Sequence, residues 1–266
     1  MIKVLVCGFC GRMGSQVVRT VCGQDDMVVV GGFDPAALSG QVELDGEPIA
    51  PAFGDLISAL AETKPDVLVD FTSPGSIEGN LRIALPTGVD CVVGTTGLSQ
   101  EKYNELIKLA PEGASLFHAP NFTIGAVLMM EFSKKAAQYF PDAEVIEFHH
   151  SGKKDAPSGT AVSTARSIAQ VREKAGIVTT APGKETEMSG FAGARGAVTD
   201  GVPVHSVRSN GYVAHQEVIF GSPGQILTIR HDSIDRSSYM PGVLLAVREV
   251  GKLSGLIIGL ENLLGL

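Results

Sequence analysis

The segment Glu147-Phe148-His149-His150-Ser151-Gly152-Lys153-Lys154-Asp155-Ala156-Pro157-Ser158-Gly159-Thr160 carries the most distinctive chemistry in the chain. An imidazole exchanges a proton near neutral pH. Lys153 adds a fixed positive charge and a donor, while Ser158, Gly159 and Thr160 at a helix start present amides and hydroxyls to an anion. Together these groups suit gripping a carboxylated small molecule and protonating it. Each also has a plainer explanation. His149 and His150 alternate faces on a strand, the lysines can be solvated surface charge, and Ser158 can be an N-cap. Their concentration within a dozen residues favours chemistry.

A second signal lies near the start. Gly8-Phe9-Cys10-Gly11-Arg12-Met13-Gly14 is a GxxGxxG turn that follows an apolar run and opens a helical pattern. A pyrophosphate site needs a tight turn, a backbone without Cβ at the point of approach, and a helix whose free N–H groups face the anion. The alternative is a strand–helix corner with no ligand. Asp34 lies 20 residues after Gly14, where an acid accepts bonds from an adenosine ribose. Its charge favours NAD over NADP, and Pro35, Ala36 and Ala37 supply no base for a 2′-phosphate, although Arg12 stands across the turn. The loops Phe71-Thr72-Ser73-Pro74 and Gly94-Thr95-Thr96-Gly97 fall at predicted strand ends and suit the nicotinamide half, or are ordinary capped turns.

The elements around these groups fall into two unlike series. Strands at Ile2–Cys7, Met27–Phe33, Val67–Phe71, Val89–Val93 and Ser115–His118 are apolar enough for burial on both faces. Helical patterns at Arg12–Cys22, Leu56–Ala61 and from Ser99 alternate with them, predicting a Rossmann-type doubly wound parallel sheet. After Asn121 the pattern changes to α+β. Helices at about Ile124–Tyr139 and Ser158–Lys174 and a strand at Glu144–His150 precede a long loop from Ile177 to Gly201. Strands then follow at Val202–Arg208, Tyr212–Phe220 and Gln225–His231, mainly antiparallel, and Tyr239–Leu264 reads as helical and returns to the first domain. The expected division is 1–121 with 239–266 for the dinucleotide and 122–238 for the substrate and oligomer contacts.

Whole-chain properties narrow the classes. A formal charge of −8 argues against a nucleic-acid partner. No tract suits a bilayer, and the N-terminus lacks signal-peptide features, so a cytoplasmic location is expected. Cys7, Cys10, Cys22 and Cys91 do not make a disulfide framework, and the Cys7/Cys10 pair, with no partner cluster, reads as incidental rather than as a metal site.

The run from Glu144 to Thr160, with Gly8–Gly14, Gly94-Thr95-Thr96-Gly97 and Ala119-Pro120-Asn121-Phe122, resembles the 4-hydroxy-tetrahydrodipicolinate (dihydrodipicolinate) reductases of lysine biosynthesis, in order along the whole chain. The resemblance implies an NADH- or NADPH-dependent enzyme for a small dicarboxylate, assembled as a homotetramer through the second domain's sheet. It implies proton donation by His149 and Lys153, and substrate binding by His150, Ser158, Gly159 and Thr160. It further implies dinucleotide contacts from Gly8, Phe9, Cys10, Gly11, Arg12, Met13, Asp34, Gly94, Thr95, Thr96, Ala119, Pro120, Asn121 and Phe122. Asp34-Pro35 departs from the acid–Arg pair common in that family, and Ser151-Gly152 replaces bulkier residues. Two other classes remain: a two-domain dehydrogenase of aspartate-family metabolism, and a dinucleotide-binding protein without turnover. An aspartate-semialdehyde enzyme needs a nucleophilic cysteine well into the chain, and all four cysteines lie at or before Cys91.

Overall fold

The computed structural model describes residues 1–37, 40–177 and 193–266. The chain divides into two compact units, Met1–Ile124 with Tyr239–Leu266, and Gly125–Ser238.

Unit one begins with β1 (Ile2–Cys7), α1 (Arg12–Cys22) and β2 (Met27–Phe33), whose ends fall where the apolar runs meet glycine or polar residues. A hairpin follows, β3 (Gln41–Leu44) and β4 (Glu47–Phe53), and then α2 (Leu56–Thr63) and β5 (Val67–Asp70). Next come α3 (Ile77–Ala84), β6 (Asp90–Val93), α4 (Gln100–Leu106) and β7 (Ser115–His118). Asp55 and Ser99 cap α2 and α4 by accepting from the amides of Ser58 and Lys102.

Unit two holds α5 (Ile124–Ala136) from its second residue onward, β8 (Asp142–His149), α6 (Gly159–Ala175), β9 (Ala197–Thr199), β10 (Val202–Arg208), β11 (Ala214–Ser222) and β12 (Gln225–Ser233). The chain then returns to unit one with α7 (Met240–Val250) and β13 (Gly255–Ile258).

The first sheet runs β13-β7-β6-β5-β1-β2-β4-β3, parallel throughout except for the β3–β4 hairpin. Val4 to Cys7 are fully buried, as a strand covered on both faces must be. Leu5 and Cys7 join the cluster built with Leu56, Leu60, Ile77, Leu81 and Leu106 of α2, α3 and α4. Alternation sends Val4 and Val6 to the opposite face. The second sheet runs β12-β11-β8-β10-β9, and α6 lays Ala161, Ala165 and Ile168 against Val145, Val204 and Val218.

The structure departs from the sequence expectations at five points. The β3–β4 hairpin and α3 were not anticipated. The segment expected to be helical from Tyr239 to Leu264 stops at Val250 and becomes a sheet strand, because Gly251 and Gly255 interrupt it. The antiparallel pairing expected among the last three strands holds for β11 with β12, whereas β10 does not pair with β11: β8 lies between them, antiparallel to β11 and parallel to β10. Of the expected long loop, 178–192 lies outside the described residues and Ala197–Thr199 is a strand.

Candidate active site

The glycine turn joins β1 to α1. Gly8 adopts φ +82°, and a Cβ there would stand 2.5 Å from the Phe71 carbonyl oxygen. The Gly8 amide donates to Phe33 O at 2.8 Å and the Gly11 amide to Gly8 O at 2.9 Å, closing the turn. A Cβ on Gly14 would lie 2.6 Å from the Gly8 carbonyl carbon, so only glycine lets the helix start this close to the turn. Gly11 is the N-cap of α1 and no side chain accepts from the first turn. Gly11 and Arg12 are exposed, Phe9 and Met13 half-buried. Uncapped helix amides behind an open, Cβ-free backbone fit a pyrophosphate.

Asp34 follows β2 and is half-buried, its Oδ1 accepting from the Ala36 amide at 2.9 Å. It also acts on Cys10, whose thiol is raised by burial and then by the Asp34 charge and hydrogen bond. Cys7 is fully buried and raised well above its ordinary value, first by burial and then by Asp70. Raised thiols hold little thiolate, the nucleophilic form.

The loops after β5 and β6 are tied by a residue sequence reasoning missed. Asp70 is fully buried. Its Oδ1 accepts from the Thr72 amide at 3.0 Å, Thr72 Oγ1 at 2.8 Å and Thr95 Oγ1 at 2.7 Å, and its Oδ2 from Asn80 Nδ2 at 2.8 Å. The Gly94 amide donates to the Asp70 carbonyl at 2.9 Å. Thr95 is thus buried and its hydroxyl engaged, while Thr96 is exposed. After β7, Ala119 is buried, Pro120 exposed, and Asn121 Oδ1 accepts from the Thr123 amide at 2.9 Å. Phe122 is buried, its ring 5.7 Å from that of Phe71. His118 stacks on Tyr103 at 4.5 Å, and burial lowers its imidazole pKa while pushing the Tyr103 phenol up to about 12. The expected dinucleotide residues therefore stand at the carboxyl ends of β1, β2, β6 and β7, four of the five contiguous parallel strands β7-β6-β5-β1-β2, where such sheets bind ligands.

In unit two, β8 ends at His149, half-buried, with His150 exposed just beyond. His149 Nδ1 is hydrogen-bonded to Glu147 Oε2. Glu147 is fully buried and also receives Arg208 Nη1 at 2.8 Å, Arg208 Nη2 at 2.7 Å and the Ser158 amide at 3.2 Å. Burial alone raises its carboxyl, but the hydrogen bonds from His149, Arg208 and Ser206 outweigh that and hold it at about 2. Lys153 Nζ pairs with both Asp155 oxygens at 2.8 and 2.9 Å, and its amide donates to His150 O at 3.1 Å. Ser158 is buried and its hydroxyl caps α6, accepting from the Ala161 amide at 3.2 Å. Gly159 is exposed, with nothing within 4 Å of where a Cβ would stand, and Thr160 is half-buried. His149, Lys153 and the start of α6 thus share one loop cluster, with Ser158 Oγ committed to the cap. Arg208 was missed because only the parallel β8–β10 register, which pairs it with His149, brings it there.

A doubly wound parallel sheet with an uncapped glycine turn and, in the same chain, a second unit carrying an oriented imidazole define a two-unit dinucleotide-dependent oxidoreductase. The chain belongs to the dihydrodipicolinate reductase family, whose N-terminal profile matches residues 2–122 and whose C-terminal profile matches residues 125–264. It is 50% identical to the 4-hydroxy-tetrahydrodipicolinate reductase of Enterococcus faecalis over 265 residues, 99% of this chain and 100% of that one. It is 46% identical to that of Desulfitobacterium hafniense over 271 residues, 99% and 98% of the two chains. A dihydrodipicolinate reductase from Paenisporosarcina sp. TG-14, solved with dipicolinate bound, superposes with a TM-score of 0.87 at 41% identity, covering 98% of this chain and 99% of that one. The family consists of NAD(P)H-dependent oxidoreductases. No helix of the described residues is long and apolar enough to cross a membrane.

Proposed function

We propose that this chain reduces 4-hydroxy-tetrahydrodipicolinate to tetrahydrodipicolinate in diaminopimelate and lysine biosynthesis. Substrate, reduced dinucleotide and one proton give the tetrahydro product, oxidised dinucleotide and water. The observation that carries the reading is His149, whose Nδ1 is occupied by Glu147 and whose Nε2 remains to deliver a proton. The dinucleotide residues are Gly8, Phe9, Cys10, Gly11, Arg12, Met13, Asp34, Gly94, Thr95, Thr96, Ala119, Pro120, Asn121 and Phe122. Bound by them, a reduced nicotinamide supplies the hydride. His149, assisted by Lys153, supplies the one proton of that balance, and a substrate carboxylate competes with Asp155 for the Lys153 ammonium. His150, the exposed Gly159 amide and Thr160 hold the substrate carboxylates, supported by the α6 N-terminus. Ser158 contributes through its cap.

NADH is the preferred reductant, because Asp34 repels a 2′-phosphate. Residues 1–121 with 239–266 serve the dinucleotide, and 122–238 serve the substrate and a homotetramer. The apolar exposure of β12, with Ile226 at 76% and Leu227 at 38%, supports assembly through that sheet. The enzyme works in the cytoplasm.

The test is oxidation of NADH and NADPH with substrate generated in situ from aspartate semialdehyde and pyruvate by the preceding synthase. A folded sample that oxidises neither cofactor refutes the assignment. Lys153→Ala should keep dinucleotide affinity while turnover falls by about 10²-fold or more; unchanged turnover removes Lys153 from the mechanism.

A further inference from the structure

We infer that Glu147, anchored by Arg208, is the positioning residue that fixes which nitrogen of His149 is free to exchange a proton. The inference rests on His149 acting as the proton donor proposed above. Glu147 precedes His149 by two residues on β8, so both side chains leave the same face of the sheet. Both carboxyl oxygens are engaged twice over, and Ser206 hydrogen-bonds to the same carboxylate. Oε1 takes Arg208 Nη2 at 2.7 Å and the Ser158 amide at 3.2 Å, while Oε2 takes Arg208 Nη1 at 2.8 Å and His149 Nδ1.

An ionised carboxylate only accepts. Nδ1 must therefore be the protonated nitrogen of the neutral ring, which leaves Nε2 as the one that gains and loses a proton. Turning the ring over would place a carbon against the carboxylate and discard the bond, so the ring is held in one orientation.

Arg208 extends the same control to the lysine. Besides its fork on Glu147, Nη2 donates to the Asp155 carbonyl at 2.8 Å, and the Asp155 side chain receives Lys153 Nζ at 2.8 Å. One guanidinium thus fixes the carboxylate behind His149 and the turn that carries Lys153. An ion pair needed only for folding would be complete with the Arg208 fork alone. The bond to Nδ1 and the reach to Asp155 tie it to the reacting groups.

The test uses the full chain with ¹⁵N-labelled histidine, with His149 assigned by the signal missing from His149→Gln. At a pH where the ring is neutral, the parent should show the Nδ1–H form. A parent ring in the Nε2–H form overturns the inference without any further variant. Glu147→Gln lets an amide face Nδ1, so the Nε2–H form should appear and kcat should fall about 10²-fold or more. The KM for the dinucleotide should stay within about threefold.

Glu147→Gln also strands a half-buried guanidinium, a destabilising change. The double variant Glu147→Gln/Arg208→Met removes that charge, so a loss of kcat that persists in it belongs to the pair's joint positioning of His149 and the Lys153 turn and not to the stranded guanidinium. If folding alone were at stake, this double variant would regain kcat to within about threefold of the parent, and that result overturns the inference. Parental kcat in both Glu147 variants beside an inactive His149→Gln overturns this inference and spares the His149 reading. Parental kcat in His149→Gln overturns both.

Discussion

Replacing Asp70 with alanine removes a carboxylate that joins the loops after β5 and β6, and its four donors meet different fates. The Thr72 amide keeps Thr95 Oγ1 at 2.7 Å, and Thr95 Oγ1 keeps the Asp70 main-chain carbonyl at 3.5 Å. Asn80 Nδ2 is left with only Thr72 Oγ1 at 3.4 Å, and the Thr72 hydroxyl loses its acceptor. Two stranded donors at about 1–3 kcal/mol each give about 2–6 kcal/mol. Relief of the carboxyl's own burial offsets part of that, which favours the lower half of the range. Even so, the loss is a large share of a typical total of about 5–15 kcal/mol. Asp70→Asn is milder. Its oxygen can keep the three Oδ1 bonds, and Asn80 can turn its amide over to accept from the new NH2, for a cost of about 1 kcal/mol.

Urea unfolding of parent and both variants measures the first effect, read as a shift in midpoint at unchanged slope. Initial rates measure the second. Because the tied loops are those assigned to the nicotinamide half, Asp70→Ala should raise the dinucleotide KM about tenfold or more, equivalent to about 1.4 kcal/mol. The KM for the cyclic dicarboxylate should change less. A folded Asp70→Ala within about 0.5 kcal/mol of the parent, the ordinary range for surface substitutions, refutes the ledger. An unchanged dinucleotide KM refutes the role of the loops.

Three further outcomes follow from the same geometry. Gly14→Ala forces a methyl to 2.6 Å from the Gly8 carbonyl carbon, against about 3.5–4.0 Å for ordinary carbon contact, so NADH affinity in a fluorescence titration should drop at least about tenfold. Parental affinity would mean the turn does not bind pyrophosphate. Asp34→Ser should raise the NADPH-to-NADH ratio of kcat/KM, and an unmoved ratio would show that Asp34 does not face the ribose. Glu147, held at about 2 against an ordinary 4.5, contributes stability present above the higher value and lost as pH falls through the lower. Stability of the parent should therefore decline between those limits more steeply than that of Glu147→Gln, and equal slopes would contradict the network.

Much of this was legible in the residues. β1, α1 and β2 have the expected limits because fully buried parallel strands are unbroken apolar runs and glycines punctuate them. The β3–β4 hairpin escaped notice because Pro48 and Pro51 dilute its pattern, although Asp45-Gly46, at φ 54° and 88°, is a strong two-residue turn signal. Helix α3 has Ile77, Leu81 and Ala84 buried at helical spacing but is only 8 residues long, too short for periodicity to announce itself. β13 was read as helix because its apolar residues continue those of α7 across Gly251. In the site, His149 and Lys153 stand out by type and local density. Asp70 and Arg208 do not, since the first looks like any strand-end acid and the second is 61 positions from the carboxylate it grips.

Asp70 and Glu147 pose the same structural problem with opposite solutions. Each is a fully buried acid that gathers loops, because two oxygens can accept from several segments at once. Among the described residues, Asp70 accepts only from neutral donors, an amide, two hydroxyls and a carboxamide, so exchanging one oxygen for NH2 costs a rearrangement. Glu147 faces a guanidinium fork and an imidazole, so the same exchange sets an NH2 against a donor that cannot turn over and removes the counter-charge of Arg208. Removing one partner of a buried ion pair costs about 3–5 kcal/mol, against about 1 kcal/mol for a neutral hydrogen bond. Amide substitution should thus be tolerated at 70 and damaging at 147, with the difference visible in one pair of urea titrations. Equal losses at the two positions would show that the charge on Arg208 is compensated by something other than Glu147.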